Sequence, residues 1–143
     1  MADITAIILT KNEEKNIEEC LKSICDFAKR IVIVDSGSTD NTIEIAKKYN
    51  VDVYIHPFEN YARQFNWGLD NVNIDTKWSL RLDADERFTP ELCRELEEQM
   101  DKHINDDING FVLEAWLFFM GKKLKHGGSA KKKLMVFKTG IGR

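Results

Sequence analysis

Four short apolar runs, residues 4–9, 31–34, 51–55 and 77–82, alternate along this chain with segments whose apolar residues fall at helical spacing. Runs with little polar interruption are what a strand buried on both faces requires. Strand, helix, strand, helix in this order predicts an α/β fold, a mostly parallel sheet flanked by helices. The helical segments are expected over residues 16–27, through Ile43, Ile45, Ala46 and Tyr49, over 61–72, and over 91–102, the last opened by Pro90 in its first turn. Further strands are expected over 111–119 and 134–137.

Three of the runs end in polar loops: Thr10-Lys11-Asn12-Glu13, Asp35-Ser36-Gly37-Ser38-Thr39-Asp40 and Asp83-Ala84-Asp85-Glu86. In a parallel sheet the carboxyl ends of the strands share one edge, where open α/β sheets bind their ligands. The loops should therefore gather in one crevice, with Asp35 and Asp83 facing it together. Residues i and i+2 of a strand point to the same side, so Asp83 and Asp85 can converge. Two hard carboxylates suit Mg²⁺ or Mn²⁺, whose shells are commonly completed by substrate phosphates and water; the bland alternative is a solvated strand-to-turn junction. Asp35 has two readings, acceptor for a nucleobase or sugar, or anchor of its own turn. Asp40 reads as a helix cap, and Arg63 as either a phosphate or base contact or a surface ion pair.

At 143 residues the chain reads as one domain, residues 1–143. Cys20, Cys25 and Cys93 lack metal-ligand spacing and are expected as reduced thiols. The net charge of −3 is unevenly spread: residues 121–143 carry eight Lys and Arg and no acid, while residues 1–120 carry 13 basic and 24 acidic side chains. The basic segment follows Trp116-Leu117-Phe118-Phe119-Met120, and apolar beside basic is the pairing of a peripheral membrane contact. A core strand followed by a solvated lysine loop is the alternative. Neither Gly-x-Gly-x-x-Gly nor Gly-Lys-Ser/Thr is present, which removes the usual signatures of dinucleotide-dependent oxidoreductases and phosphate-loop ATPases. Nucleic acid is not expected as a partner.

Four segments then carry a resemblance. Ile7-Ile8-Leu9-Thr10-Lys11-Asn12-Glu13, Val32-Ile33-Val34-Asp35-Ser36-Gly37-Ser38-Thr39-Asp40-Asn41-Thr42, Ala62-Arg63-Gln64-Phe65-Asn66-Trp67-Gly68 and Leu82-Asp83-Ala84-Asp85-Glu86 closely resemble, in order, the motifs of the family 2 nucleotide-sugar glycosyltransferases. Among these the chain is most similar to the bacterial lipopolysaccharide-core glucosyltransferases. The resemblance implies the GT-A fold, Rossmann-like, and an inverting transfer of a hexose from a nucleotide-diphosphate sugar resembling UDP-glucose. The acceptor would be a saccharide or lipid-linked glycan of the cell envelope, the metal Mn²⁺ or Mg²⁺. The place would be the cytoplasm, peripherally at the inner face of the membrane. By position, Thr10, Asn12 and Glu13 match the first nucleotide-contacting loop, Asp35 the base-binding aspartate and Arg63 the arginine near the nucleotide. Asp83 matches the residue that meets ribose or a metal-bound water, and Asp85 the direct metal ligand.

The resemblance fades after about residue 96. The related branch tends to carry an arginine near Ala115 and aromatic and acidic residues near Gly128, where this chain has Ser129-Ala130-Lys131. An inverting transfer needs a carboxylate base on the acceptor hydroxyl, and no acid follows Glu114. Glu86 stands too close to the metal pair, and Glu114 falls in an apolar strand pattern. The expectation is a domain incomplete at its carboxyl end, with self-association through residues 116–120, and binding of the donor without transfer is the alternative function. A haloacid-dehalogenase-like phosphatase also uses Asp-x-Asp with Mg²⁺, but places it after the first strand, not the fourth.

Overall fold

In a computed structural model, residues 2–105, 110–113, 118–119, 122–123 and 133–139 are described. The main sheet holds β1 (Ala2–Thr10), β2 (Ala28–Asp35), β3 (Asp52–Ile55), β4 (Trp78–Asp83), β6 (Gly110–Leu113) and β9 (Lys133–Lys138), in the order β3-β2-β1-β4-β9-β6. The first four are parallel, as the apolar runs predict, whereas β9 runs antiparallel to both β4 and β6. A second sheet joins β5 (Glu86–Arg87), β7 (Phe118–Phe119) and β8 (Lys122–Lys123).

β1, β2 and β4 are buried on both faces by alternation, whereas β3, at the sheet edge, is only partly covered and leaves Ile55 exposed. Ile4, Ala6, Ile8, Ile31, Ile33, Leu80 and Leu82 belong to one core cluster, with Ile17, Cys20, Leu21 and Ile24 of α1 (Ile17–Ile24) and Leu92, Leu96 and Met100 of α4 (Pro90–His103). Ile7, Val32 and Val34 belong to the other, with Phe65 of α3 (Tyr61–Asn71), Val72 and Phe137. Gly68 lets α3 approach closely: a Cβ there would lie 3.3 Å from Val34 Cγ2 and 3.5 Å from Ile7 Cγ2. Thr89 caps α4, its hydroxyl accepting from Leu92 N at 3.1 Å, with Pro90 in the first turn as expected.

Several boundaries differ from the expectation, among them that of the second helix, Thr42–Ala46, which ends short of Tyr49. The first helix ends at Ile24, short of Phe27, because Ala2 N donates to Phe27 O (2.8 Å) and Ala2 aligns with Ala28, which starts β2 three residues early. The single strand expected over 111–119 becomes β6 and β7, in different sheets; residues 114–117 lie outside the described ones. So does much of the segment proposed for membrane contact and self-association. The basic segment nonetheless contributes β9, which completes the sheet beside β4. Cys20, Cys25 and Cys93 are free thiols. Among the described residues, no helix is long and apolar enough to cross a membrane.

Candidate nucleotide and metal site

Parallel pairing fixes the site. Thr10 aligns with Asp35 on one side of β1, and Leu9 with Asp83 on the other. The two aspartates thus share one sheet edge, as the strand order predicts.

The first two loops are laced together. Lys11 Nζ donates to Gly37 O (2.8 Å), Asn12 N to Ser38 Oγ (2.8 Å), Thr39 N to Asn12 Oδ1 (2.8 Å) and Glu13 N to Thr42 Oγ1 (2.8 Å). Asn12 adopts φ +52° and Gly37 φ +98°, left-handed conformations that asparagine and glycine tolerate best. Asp40 accepts from the Thr42 hydroxyl, from Thr42 N (3.0 Å) and from Glu14 N (3.2 Å), an Asx-type turn just ahead of α2 (Thr42–Ala46); the cap position itself is Asn41, which makes no side-chain cap bond, so the expectation of Asp40 as the cap is off by one residue.

Asp35 is fully buried at the centre of this lacing. Its Oδ1 accepts from Thr10 Oγ1 and Ser38 Oγ, both at 2.6 Å, and its Oδ2 from Gly37 N (2.8 Å) and Ser38 N (2.7 Å). Four donors fill the lone-pair directions of a carboxylate. Burial pushes the carboxyl pKa up, but the hydrogen bonds from Ser38, Thr10 and the two amides outweigh it and hold the pKa below the ordinary carboxylate value. A depressed folded pKa stabilises the protein above the unfolded value, about 3.9, and that stability is lost as pH falls through the folded one. Asp35→Ala strands several donors at once and is expected to cost about 3 kcal/mol at neutral pH, since each buried unpaired group costs roughly 1–3 kcal/mol. Urea denaturation from pH 7 downwards checks this: the gap to wild type should narrow toward acid, and a gap constant with pH would remove the ionised anchor.

At the end of β4 one carboxylate oxygen from each of Asp83, Asp85 and Glu86 lies within 4.8 Å of the other two. Glu86 is buried, its Oε1 accepting from Asp83 N at 2.9 Å. Two unit charges 4.8 Å apart at an effective dielectric of about 20 repel by roughly 3 kcal/mol. A divalent cation would offset that repulsion, and three hard oxygens suit Mn²⁺ or Mg²⁺. The same field reaches Cys20, whose Sγ donates to Asp83 O at 3.7 Å. Burial first, then Glu86, Asp85, Asp83 and Glu13, push its thiol far up, so it stays protonated. Glu86, adjacent to Asp85 in sequence, joins the pair Asp83 and Asp85 as a third ligand that the strand spacing alone does not indicate.

A cavity of about 560 Å³ opens at the same edge, lined by Leu9, Thr10, Lys11, Glu13, Ser36, Pro57, Phe58, Tyr61 and Gln64. Thr10 and Glu13 are thus on its wall. Arg63 does not line it: its guanidinium is exposed and pairs with Glu59 Oε2 at 2.8 Å, the surface ion pair that was the alternative reading.

Comparison with known proteins agrees with this geometry. Residues 5–116 match the model of glycosyl transferase family 2. An uncharacterized glycosyltransferase of Rickettsia typhi is 31% identical over 121 residues, 85% of this chain and 41% of that protein. The lipopolysaccharide core biosynthesis glycosyltransferase LpsC of Rhizobium meliloti is 32% identical over 123 residues, 82% of this chain and 44% of that protein. The chain therefore spans about two fifths of the length of these relatives. Residues 1–349 of S. aureus TarS, solved with UDP, superpose with TM-score 0.57 at 26% identity, covering 72% of this chain and 33% of that one. Glucosyl-3-phosphoglycerate synthase from Mycobacterium tuberculosis, solved with Mn²⁺, UDP and glucosyl-3-phosphoglycerate, gives TM-score 0.59 at 19% identity over 74% of this chain and 41% of that one. The fold is GT-A, and the chain belongs to glycosyl transferase family 2.

Proposed function

We propose that this chain is the donor-binding part of an inverting glycosyltransferase that moves a hexose from a UDP-glucose-like donor to a saccharide or lipid-linked acceptor in cell-envelope polysaccharide synthesis. The observation that carries the reading is one sheet edge bearing both a nucleotide-sized cavity and three converging carboxylates. Likeness to LpsC supports the envelope pathway, and the UDP and Mn²⁺ complexes of the structural neighbours support the donor class.

In this reading Asp85 is the principal metal ligand, with Asp83 and Glu86 beside it. When bound, the metal would supply positive charge to the leaving nucleoside diphosphate. Thr10 and Glu13 would meet the nucleotide from the cavity wall, and Asn12, which does not line the cavity and accepts from Thr39 N, would have to turn toward it. Asp35 reaches a base edge only by exchanging a loop donor, Ser38 Oγ being the simplest to release. Arg63 would have to leave Glu59 to meet the nucleotide. The protein would act in the cytoplasm, peripherally at the inner membrane face.

A second reading, binding without transfer, is favoured by the absence of Asp and Glu from residues 115–143. Calorimetry against UDP, GDP, ADP and dTDP, each with and without Mn²⁺, tests the donor assignment. UDP should bind best and gain most from Mn²⁺; equal or metal-indifferent binding of all four would remove it.

A further inference from the structure

Arg81 has no role in the site as described so far. It stands within β4, between β1 and β9, where its neighbours Leu80 and Leu82 are fully buried. Its Nε is buried and has no hydrogen-bond partner among the described residues. The guanidinium carbon lies 5.6 Å from the centroid of the Phe65 ring. Among the described residues Arg81 forms no ion pair, whereas Arg30, Arg63, Arg87 and Arg94 each lie within 3.9 Å of an acid. A cation–π contact offsets part of the cost of taking a guanidinium from water, but a withdrawn charge without a counter-ion is expensive. A cation kept in an apolar strand at that cost acts on something nearby.

The register identifies that neighbour. Ile7 aligns with Arg81 and Leu9 with Asp83, so Arg81 and Asp83 project from one face of β4, the face that α3 covers. Two residues of extended chain set their Cα atoms about 7 Å apart. The acidic cluster of Asp83, Asp85 and Glu86 thus has a fixed positive charge beneath it. Other cations nearby are already committed: Arg87 to Glu19 at 3.7 Å, and Lys11 Nζ to Gly37 O at 2.8 Å. Phe65 packs in turn on Phe137 of β9, 5.8 Å between centroids, which leaves the guanidinium little room to swing away.

Three ionised carboxylates with no cation below them would hold a divalent ion whether or not a nucleotide is present. The charge on Arg81 lowers the affinity for the free ion, and the same field attracts a diphosphate. For a metal–nucleotide complex, whose net charge is small, the two effects largely cancel. We infer that Arg81 is a specificity-determining residue of the metal site: it disfavours the free divalent cation, so that the cation enters together with the nucleotide diphosphate. This rests on the metal-site reading above and adds to it a residue outside the four sequence motifs. Arg81 touches neither ligand in this account and acts on the cation only through its charge.

Titration of free Mn²⁺ followed by electron paramagnetic resonance, and calorimetry of UDP at saturating Mn²⁺, test the inference on the full chain. The variants are Arg81→Gln, Arg81→Met, which keeps apolar contact with Phe65, and Arg81→Lys, which keeps the charge. Arg81→Gln and Arg81→Met should bind free Mn²⁺ at least about fivefold more tightly at low ionic strength, the scale of a unit charge and a dication about 10 Å apart between protein and water. That gain should shrink as salt is raised, because screening shortens the field. Arg81→Lys should stay near wild type, and UDP at saturating Mn²⁺ should bind all four proteins alike. A merely structural arginine gives the opposite sign, since a disordered cluster holds metal less well. Equal or weaker binding of free Mn²⁺ by both neutral variants would overturn the inference, and so would an equal gain in Arg81→Lys. Failure of the wild type to bind Mn²⁺ with or without UDP would instead remove the metal-site reading, and the role of Arg81 with it.

Discussion

Replacing Asp85 by alanine is expected to abolish the metal dependence of UDP binding. Asp85 follows β4 in a turn, where its carboxylate meets those of Asp83 and Glu86. Loss of even an outer-shell partner typically costs a metal site about 10–100-fold in affinity, so loss of the principal ligand should cost at least the upper end of that range. Asp83→Ala should weaken binding but leave some metal response. Glu86→Gln should fall between them, since its amide oxygen can still accept from Asp83 N while the charge is gone. Titrating Mn²⁺ into each variant at fixed UDP ranks them. Equal Mn²⁺ enhancement in wild type and Asp85→Ala would show that the cation binds elsewhere.

The second large effect concerns the chemical step. Removing a positioned general base typically costs 10²–10⁴-fold, roughly, in rate. Residues 115–143 contain no carboxylate, and Glu86 is committed to Asp83 N and to the acidic cluster. Glu114 lies outside the described residues. The 143-residue chain is therefore expected to bind UDP-glucose with Mn²⁺ while transferring sugar slower by that factor than an inverting transferase with a base in place. Release of UDP in the presence of oligosaccharide acceptors, followed on the same sample used for binding, checks it. Turnover near the ordinary enzymatic scale of about 1–10³ s⁻¹ would place Glu86 or Glu114 in the base role.

Local pattern made the parallel half of the fold legible. The apolar runs before Thr10, Asp35 and Asp83 could only be doubly buried strands, and parallel pairing then obliged those residues to share an edge. Pro90 announced α4 because the chemistry of a helix start is local to one turn. The antiparallel β9 was legible as a strand but not as the partner of β4, since pairing across more than fifty residues leaves no periodic trace. The division of residues 111–119 between two sheets was hidden for the same reason.

At the site, residue types were legible and their commitments were not. Asp35 could be read as a base acceptor or a turn anchor, and only the positions of Thr10, Gly37 and Ser38 reveal that all its acceptor directions are engaged by the loops. Glu86 was discounted as the base for standing too near the metal pair, in keeping with the backbone turn after β4 that folds it into the cluster; that this makes it a third metal-competent carboxylate was not legible. Phe58 and Tyr61 belong to no motif. Their meaning depends on a cavity assembled from three separate loops.

The most direct test of the central claim is diffraction from crystals of the chain grown with UDP and Mn²⁺, using the anomalous signal of manganese. Manganese is expected on the carboxylates of Asp85 and Asp83, with the uracil ring in the cavity bounded by Thr10 and Tyr61. Manganese bound away from Asp85, or uracil bound outside that cavity, would contradict the claim.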